Sequence, residues 1–145
     1  MSNEALRLIA NIDGGARGNP GPAGAGVVLR DAADGAVVYQ AGLYLGKATN
    51  NVAEYRALLA ACKTAGDFNA AEVEVFSDSE LLVRQMNGEY RVKNAGLKPL
   101  FEEALRLAGV FGRFTVRHVR REDNKDADQL ANQAINLRRN VEDAE

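Results

Sequence analysis

Apolar and polar positions alternate over the first dozen residues. Leu6, Leu8, Ala10 and Ile12 lie on one side of an extended segment, with Arg7, Ile9, Asn11 and Asp13 on the other. That two-residue period predicts a strand with Asp13 at its C-terminal end. Two more short strands are expected at 25–30 and 36–44, divided by Asp34-Gly35, a dipeptide suited to a tight hairpin. The period then changes. Tyr55, Leu58, Leu59 and Cys62 recur at helical spacing, which predicts a helix over 51–65 with these side chains in the core. A strand follows at 72–76, a short helix at 79–87, and a longer helix at 97–108 with Pro99 near its start, where a missing N–H is tolerated. Phe114, Val116 and His118 mark a fifth strand, and a last helix spans 125–138 with Asn124 or Asp123 as its cap. The order βββαβααβα describes an α/β domain on one mixed, five-stranded sheet flanked by helices.

Composition narrows the class. The 145 residues, 46% of them apolar, suit one domain with a sizeable core, expected over 1–138 with a frayed tail over 139–145. No apolar run approaches the roughly 18 residues of a membrane span, and the first dozen residues lack the pattern of a signal peptide. A single cysteine, Cys62, leaves no disulfide framework and no multi-cysteine zinc site. The expectation is a cytoplasmic, monomeric domain with no membrane partner. Net charge is only −2, but its distribution is uneven. Nine basic residues face three acidic ones between positions 84 and 121, leaving that segment near +6 and the rest near −8. A basic half opposite an acidic half suits an enzyme that grips a polyanion and cuts it with metal-binding carboxylates. Solvated Lys and Arg on long helices would produce the same totals.

Two features carry candidate chemistry. Nine of the 14 glycines fall between positions 14 and 46, and Asp13-Gly14-Gly15-Ala16-Arg17-Gly18-Asn19-Pro20-Gly21-Pro22 invites comparison with a phosphate-binding loop. Such loops lead into a helix whose free N–H groups meet the phosphate. Here the glycines lead into Gly26-Val27-Val28-Leu29, a strand, so the comparison fails. The second feature is a set of four carboxylates. Asp13 and Asp78 end strands, Glu54 lies at the edge of an apolar helix face, and Asp128 lies in the first turn of the last helix. Singly, Asp78 could be a helix cap and Asp128 a partner for a positive helix end. Together at one sheet edge they would repel unless cations neutralised them. Oxygen ligands without a Cys/His cluster point to Mg²⁺ or Mn²⁺ rather than zinc.

The segments Ile12-Asp13-Gly14-Gly15-Ala16-Arg17-Gly18-Asn19-Pro20-Gly21, Thr49-Asn50-Asn51-Val52-Ala53-Glu54-Tyr55, Ser77-Asp78-Ser79 and Asn124-Lys125-Asp126-Ala127-Asp128 resemble, in order and over nearly the whole chain, the motifs of type 1 ribonuclease H. The resemblance implies a ribonuclease H-like fold, with Asp13, Glu54, Asp78 and Asp128 as its catalytic, metal-binding set. It implies hydrolysis of the RNA strand of RNA–DNA hybrids to 3′-hydroxyl and 5′-phosphate ends, using two Mg²⁺ ions with Mn²⁺ able to substitute. By the same resemblance Asp13 and Asp78 hold the metals most directly. Glu54 also touches a ribose 2′-hydroxyl, and Asp128 is the mobile ligand. Asn19, Asn50 and Asn51 match residues that meet the minor groove, and Thr49 matches a hydroxyl on a DNA phosphate. The alternative reading for Asn50 and Asn51 is helix capping alone.

The sequence departs from many bacterial members in two places. Only six residues separate Arg121 from Asp128 and none is the histidine found in that loop; the sole histidine, His118, falls in a strand and is read as structural or substrate-flanking. The long basic, tryptophan-rich protrusion is also missing, since Gly88-Glu89-Tyr90-Arg91-Val92-Lys93-Asn94 runs straight into the next helix. The chain thus looks like the short form of the family, with Arg84, Arg91, Lys93 and Lys98 as replacement cations. Glu80 stands where a glutamine often contacts RNA. Alternatives from other classes are a non-catalytic module binding hybrid or double-stranded RNA, and a nuclease of the same fold acting on double-stranded RNA or DNA.

Overall fold

Alternation of buried and half-exposed positions builds the sheet of the computed structural model, which describes residues 5–143. The strands are β1 (Arg7–Ala16), β2 (Gly21–Asp31), β3 (Val37–Ala48), β4 (Glu72–Ser77), β5 (Arg113–His118) and β6 (Val141–Asp143). The helices are α1 (Asn50–Asp67), α2 (Glu80–Met86), α3 (Lys98–Ala108) and α4 (Lys125–Leu137), the last preceded by a single 3₁₀ turn at Arg121–Asp123. The sheet order is β5-β4-β1-β2-β3-β6. β1 pairs in parallel with β4, as does β4 with β5, while β1–β2–β3 form an antiparallel meander and β6 runs antiparallel to β3.

Three expectations need correction. Among the described residues the sheet has six strands, not five, so the element order gains a final strand. The sixth comes from the segment expected to fray: Val141, Glu142 and Asp143 pair with Gly42, Ala41 and Gln40. Asn140 Oδ1 accepts from the Tyr44 N–H at 2.8 Å, and the Tyr39 hydroxyl donates to Glu142 at 3.0 Å. An exposed strand edge offers a row of free main-chain groups, and this short strand uses them. Residues 144–145 lie outside the described residues. Finally, β1 does not end at Asp13 but continues to Ala16 along β2; only its parallel pairing with β4 stops there, at Ile12 opposite Ser77.

Helices cover both faces. Leu8, Ala10 and Ile12 of β1 and Ala25, Val27 and Leu29 of β2 point to one side, where Tyr55, Leu58, Leu59 and Cys62 of α1 bury against them as the helical spacing predicts. Burial pushes the Cys62 thiol up to about 12, so it is a packing group. Tyr55 also donates to Gln85 Oε1 at 2.6 Å, a buried bond that ties α1 to α2. On the other face α4 presents Ala127, Ala131, Ala134 and Ile135, all buried. Among the described residues no helix is long and apolar enough to cross a membrane.

Candidate active site

Alternation turns Ile12 to the α1 face and the next residue, Asp13, to the opposite one, just past the point where β4 leaves β1. Two glycines then bring helices to it. A Cβ on Gly14 would collide with the main chain of Ala53 in α1. Its absence lets α1 close on β1 and the Gly14 N–H donate to Glu54 Oε1 at 3.0 Å. Gly26 faces Asp13 across the β1–β2 ladder, and a Cβ there would strike the carbonyl oxygen of Ala127 in α4. Asp128 therefore arrives beside Asp13 because Ala127 rests on bare backbone. The glycines that resembled a phosphate loop seat the ligand-bearing helices.

Asp78 follows β4 directly. Capping is done by its neighbours: Ser79 Oγ accepts from the Leu82 N–H at 3.2 Å, and Ser77 Oγ accepts from the Ser79 N–H at 3.0 Å. The Asp78 carboxylate is thereby released from the helix end, and its Oδ2 is buried without a hydrogen-bond partner. Asp13, Glu54 and Asp78 each bring a carboxylate oxygen to within 4.8 Å of the others. Asp128 is not in that cluster, although it lies within hydrogen-bonding reach of Asp13.

Three carboxylates this close cannot all stay ionised. Burial, then the charges of Glu54 and Asp78 and the nearby Asp128, hold the Asp13 carboxyl far above the usual carboxylate range. Burial and Asp78 push Glu54 up to about 8, against the opposing pull of the Gly14 N–H and the Arg121 guanidinium. Such a site is built to take positive charge. The orphaned Asp78 oxygen and an all-carboxylate donor set fit a hard divalent cation.

The predicted substrate residues gather at the N-terminus of α1. Thr49 caps that helix, its hydroxyl accepting from the Val52 N–H at 3.2 Å. Asn19 Oδ1 accepts from the Asn50 N–H at 3.0 Å, and Asn50 Oδ1 accepts from the Ala16 N–H at 2.7 Å. These bonds stitch the β1–β2 connection to α1, so the asparagines are not the cap. Asn51 is exposed one position further along. His118 is exposed at the end of β5, opposite Ser77.

A family model described as reverse transcriptase-like matches residues 11–134. The ribonuclease HI of Halobacterium salinarum is 41% identical over 129 residues, covering 89% of this chain and 64% of that protein. Among solved structures, the N-terminal RNase H domain of Rv2228c from Mycobacterium tuberculosis superposes with a TM-score of 0.89 at 42% identity, covering 92% of this chain and 96% of that one. LC11-RNase H1, solved in complex with an RNA/DNA hybrid, gives 0.85 at 43% identity, covering 90% and 98%. The chain belongs to the type 1 ribonuclease H family. It spans 36% of the full mycobacterial bifunctional protein that carries that domain.

Within this ribonuclease H fold, two site residues had no clear sequence signal. Asn124 holds the N-cap position of α4 but its side chain makes no cap bond. Instead it is buried, donating to the Ile12 carbonyl at 2.8 Å and accepting from Asn11 at 3.1 Å. It is a strut from α4 to the residue before Asp13. Arg121 lines the same cavity as Asp13, Glu54 and Asp128, placing a cation beside the acids from the loop that lacks a histidine. Its position seven residues ahead of Asp128 could have pointed to it; Asn124 opens one of the four motifs, but nothing there separates a buried strut from an ordinary cap.

Proposed function

We propose that this ribonuclease H-family chain cleaves the RNA strand of RNA–DNA hybrids by metal-dependent hydrolysis, leaving 3′-hydroxyl and 5′-phosphate ends. The observation that carries the reading is the Asp13–Glu54–Asp78 cluster, with Asp78 Oδ2 buried and unpartnered. Asp13 and Asp78 would hold divalent cations most directly, with Glu54 and Asp128 as further ligands. Mg²⁺ is the ion of choice and Mn²⁺ a substitute. The chemistry such a pair of ions supplies is Lewis-acid activation of water and neutralisation of charge on the departing 3′ oxygen.

The chain's own groups prepare for this. The Gly14 N–H fixes one oxygen of Glu54, and the Glu54 carboxylate belongs to the acidic cluster. Asn50 lines the acidic cavity, and Asn19, Thr49 and Asn51 stand with it at the N-terminus of α1, where amides can donate to and accept from a minor groove that displays 2′-hydroxyls. Such contacts read sugar and duplex shape, so sequence preference is weak. Arg121 offers its charge to a phosphate. The domain acts as a cytoplasmic monomer.

The test uses an end-labelled RNA–DNA hybrid with matched double-stranded RNA and DNA, in Mg²⁺ and in EDTA, beside an Asp78→Asn variant. Metal-dependent cuts confined to the RNA strand of the hybrid, and lost in the variant, are expected. Tight hybrid binding without cleavage in Mg²⁺ or Mn²⁺ would leave a binding module instead. Preferential cleavage of either control duplex would change the substrate.

A further inference from the structure

Asp128 differs from the other three acids in how it is held. Asn132, one turn further along α4, donates from Nδ2 to the Asp128 main-chain oxygen at 3.1 Å and to its Oδ1 at 3.3 Å. Arg17 Nη2 approaches Asn132 Oδ1 at 3.5 Å. Arginine has no acceptor, so the amide oxygen must face Arg17 and the NH₂ must face Asp128. Arg17, Asp13, Asp128 and Asn132 line one cavity.

Asn132 is exposed and lies inside a helix, where asparagine is among the weaker formers. Packing does not call for it there, and propensity argues against it. What it does is occupy one oxygen of a carboxylate that stands outside the Asp13–Glu54–Asp78 cluster. An aspartate with both oxygens free loses rotamer freedom each time it binds a cation. One already held by an amide donor has lost part of that freedom in advance. Partners behind a metal ligand act in this way, orienting the ligand rather than touching the metal.

We propose that Asn132 is a positioning residue, itself oriented by Arg17, that fixes one oxygen of Asp128 and leaves the other to complete a divalent-cation site with Asp13. The proposal rests on the reading that these carboxylates hold the catalytic metal. It also gives Arg17, the first residue of the β1–β2 connection, a task that couples that connection to α4.

The test compares the wild-type chain with Asn132→Ala, Asn132→Gln and Gln133→Ala, the last an exposed neighbour on the same helix. Mn²⁺ affinity is read by calorimetry on the protein alone, and the Mg²⁺ needed for half-maximal hybrid cleavage is read separately. Asn132→Ala is expected to weaken Mn²⁺ binding and raise the Mg²⁺ requirement by about 10-fold, the lower end for loss of an outer-shell partner. Cleavage at saturating Mg²⁺ stays within about twofold of wild type, because the ligands themselves remain. Its metal-free melting temperature does not fall, since alanine is the better helix former. Asn132→Gln keeps an amide donor one turn from Asp128 and recovers most of the loss. Gln133→Ala behaves as wild type.

Unchanged Mn²⁺ affinity in Asn132→Ala, or equal shifts in Asn132→Ala and Gln133→Ala, would overturn the proposal even if the hybrid is cut normally. A wild-type chain that binds Mn²⁺ but leaves the hybrid intact defeats the hydrolase reading alone. The calorimetric comparison still decides the role of Asn132.

Discussion

The two helices that carry acidic ligands beside β1 meet the sheet by opposite means. α1 is anchored by bulk: Tyr55, Leu58, Leu59 and Cys62 are buried against β1 and β2. α4 is anchored by absence, with Ala127, Ala131 and Ala134 resting over a strand surface that includes Gly26 and Gly42. Bulk stabilises through apolar area, at roughly 25 cal/mol per Å², and tolerates volume-conserving exchange. A backbone-to-backbone seat buries less side chain but has no rotamer through which to yield. At the site itself the two converge, since Glu54 and Asp128 each follow an alanine pressed onto glycine. What differs is the ligand: Glu54 belongs to the tight cluster and is fixed by a main-chain N–H, whereas Asp128 stands outside it and is held by an exposed side chain.

That difference is testable in the chemistry first, where the effect is largest. Glu54→Gln is expected to lower hybrid cleavage at saturating Mg²⁺ by at least about 10³-fold, equivalent to about 4 kcal/mol in the barrier. Asp128→Asn should lose less, roughly 10²-fold, and should regain more activity when Mg²⁺ is raised. Single-turnover cleavage across a metal series measures both. Equal losses that no metal concentration separates would erase the distinction between a clustered ligand and a peripheral one.

Stability separates the two seats next. Gly26→Ala places a methyl against the Ala127 carbonyl oxygen, with backbone on both sides and nothing to rotate away. A cost of about 3 kcal/mol or more is expected, by analogy with overpacked cores. Leu59→Met in α1 should cost under about 1.5 kcal/mol because flexible bulk replaces bulk. Urea titration of both variants decides this, and a Gly26→Ala chain as stable as wild type would mean that α4 can lift without loss.

The acids themselves give a smaller, pH-dependent effect. Asp13 and Glu54 have folded-state values raised above those of the unfolded chain, Glu54 to about 8. The folded, metal-free protein therefore binds more protons than the unfolded one across that window. These two groups favour folding fully below the unfolded carboxylate range, and the contribution is lost as pH rises through about 8 for Glu54 and through a still higher value for Asp13. Divalent cations bind the ionised carboxylates, so their stabilisation grows over the same window. Melting curves at pH 5 and pH 8 should show Mg²⁺ raising the melting temperature more at pH 8, as expected for extra stabilisation on the order of 1 kcal/mol. A larger Mg²⁺ effect at pH 5 would contradict the raised values.

Much of this was legible in the chain. Period-two and helical spacing located β1, α1 and the apolar faces because burial enforces those patterns. The four acids stood out through motifs whose spacing the fold preserves. Three things were hidden for physical reasons. The closeness of α1 and α4 depends on which residue faces Gly14 and Gly26 across the structure, a relation of register that no local window contains. Asn124 looks like a cap because caps and buried struts use the same amide; its real partners, Ile12 and Asn11, are more than a hundred residues away. β6 has no signal because three residues of edge strand carry almost no pattern of their own.

That last strand gives the mildest test. β6 ties the chain beyond α4 to β3 through Asn140 and Tyr44, well away from the first turn of α4, where Ala127 sits on Gly26. Asn140→Ala removes the acceptor from the Tyr44 N–H, but this bond is exposed and water can replace it, so the loss should stay below about 1 kcal/mol. If the glycine seat alone sets the height of Asp128, the Mg²⁺ needed for half-maximal cleavage will not move in this variant. If it rises together with a drop in melting temperature, the position of α4 is set from both ends, and its small-residue seat is only half of what holds it.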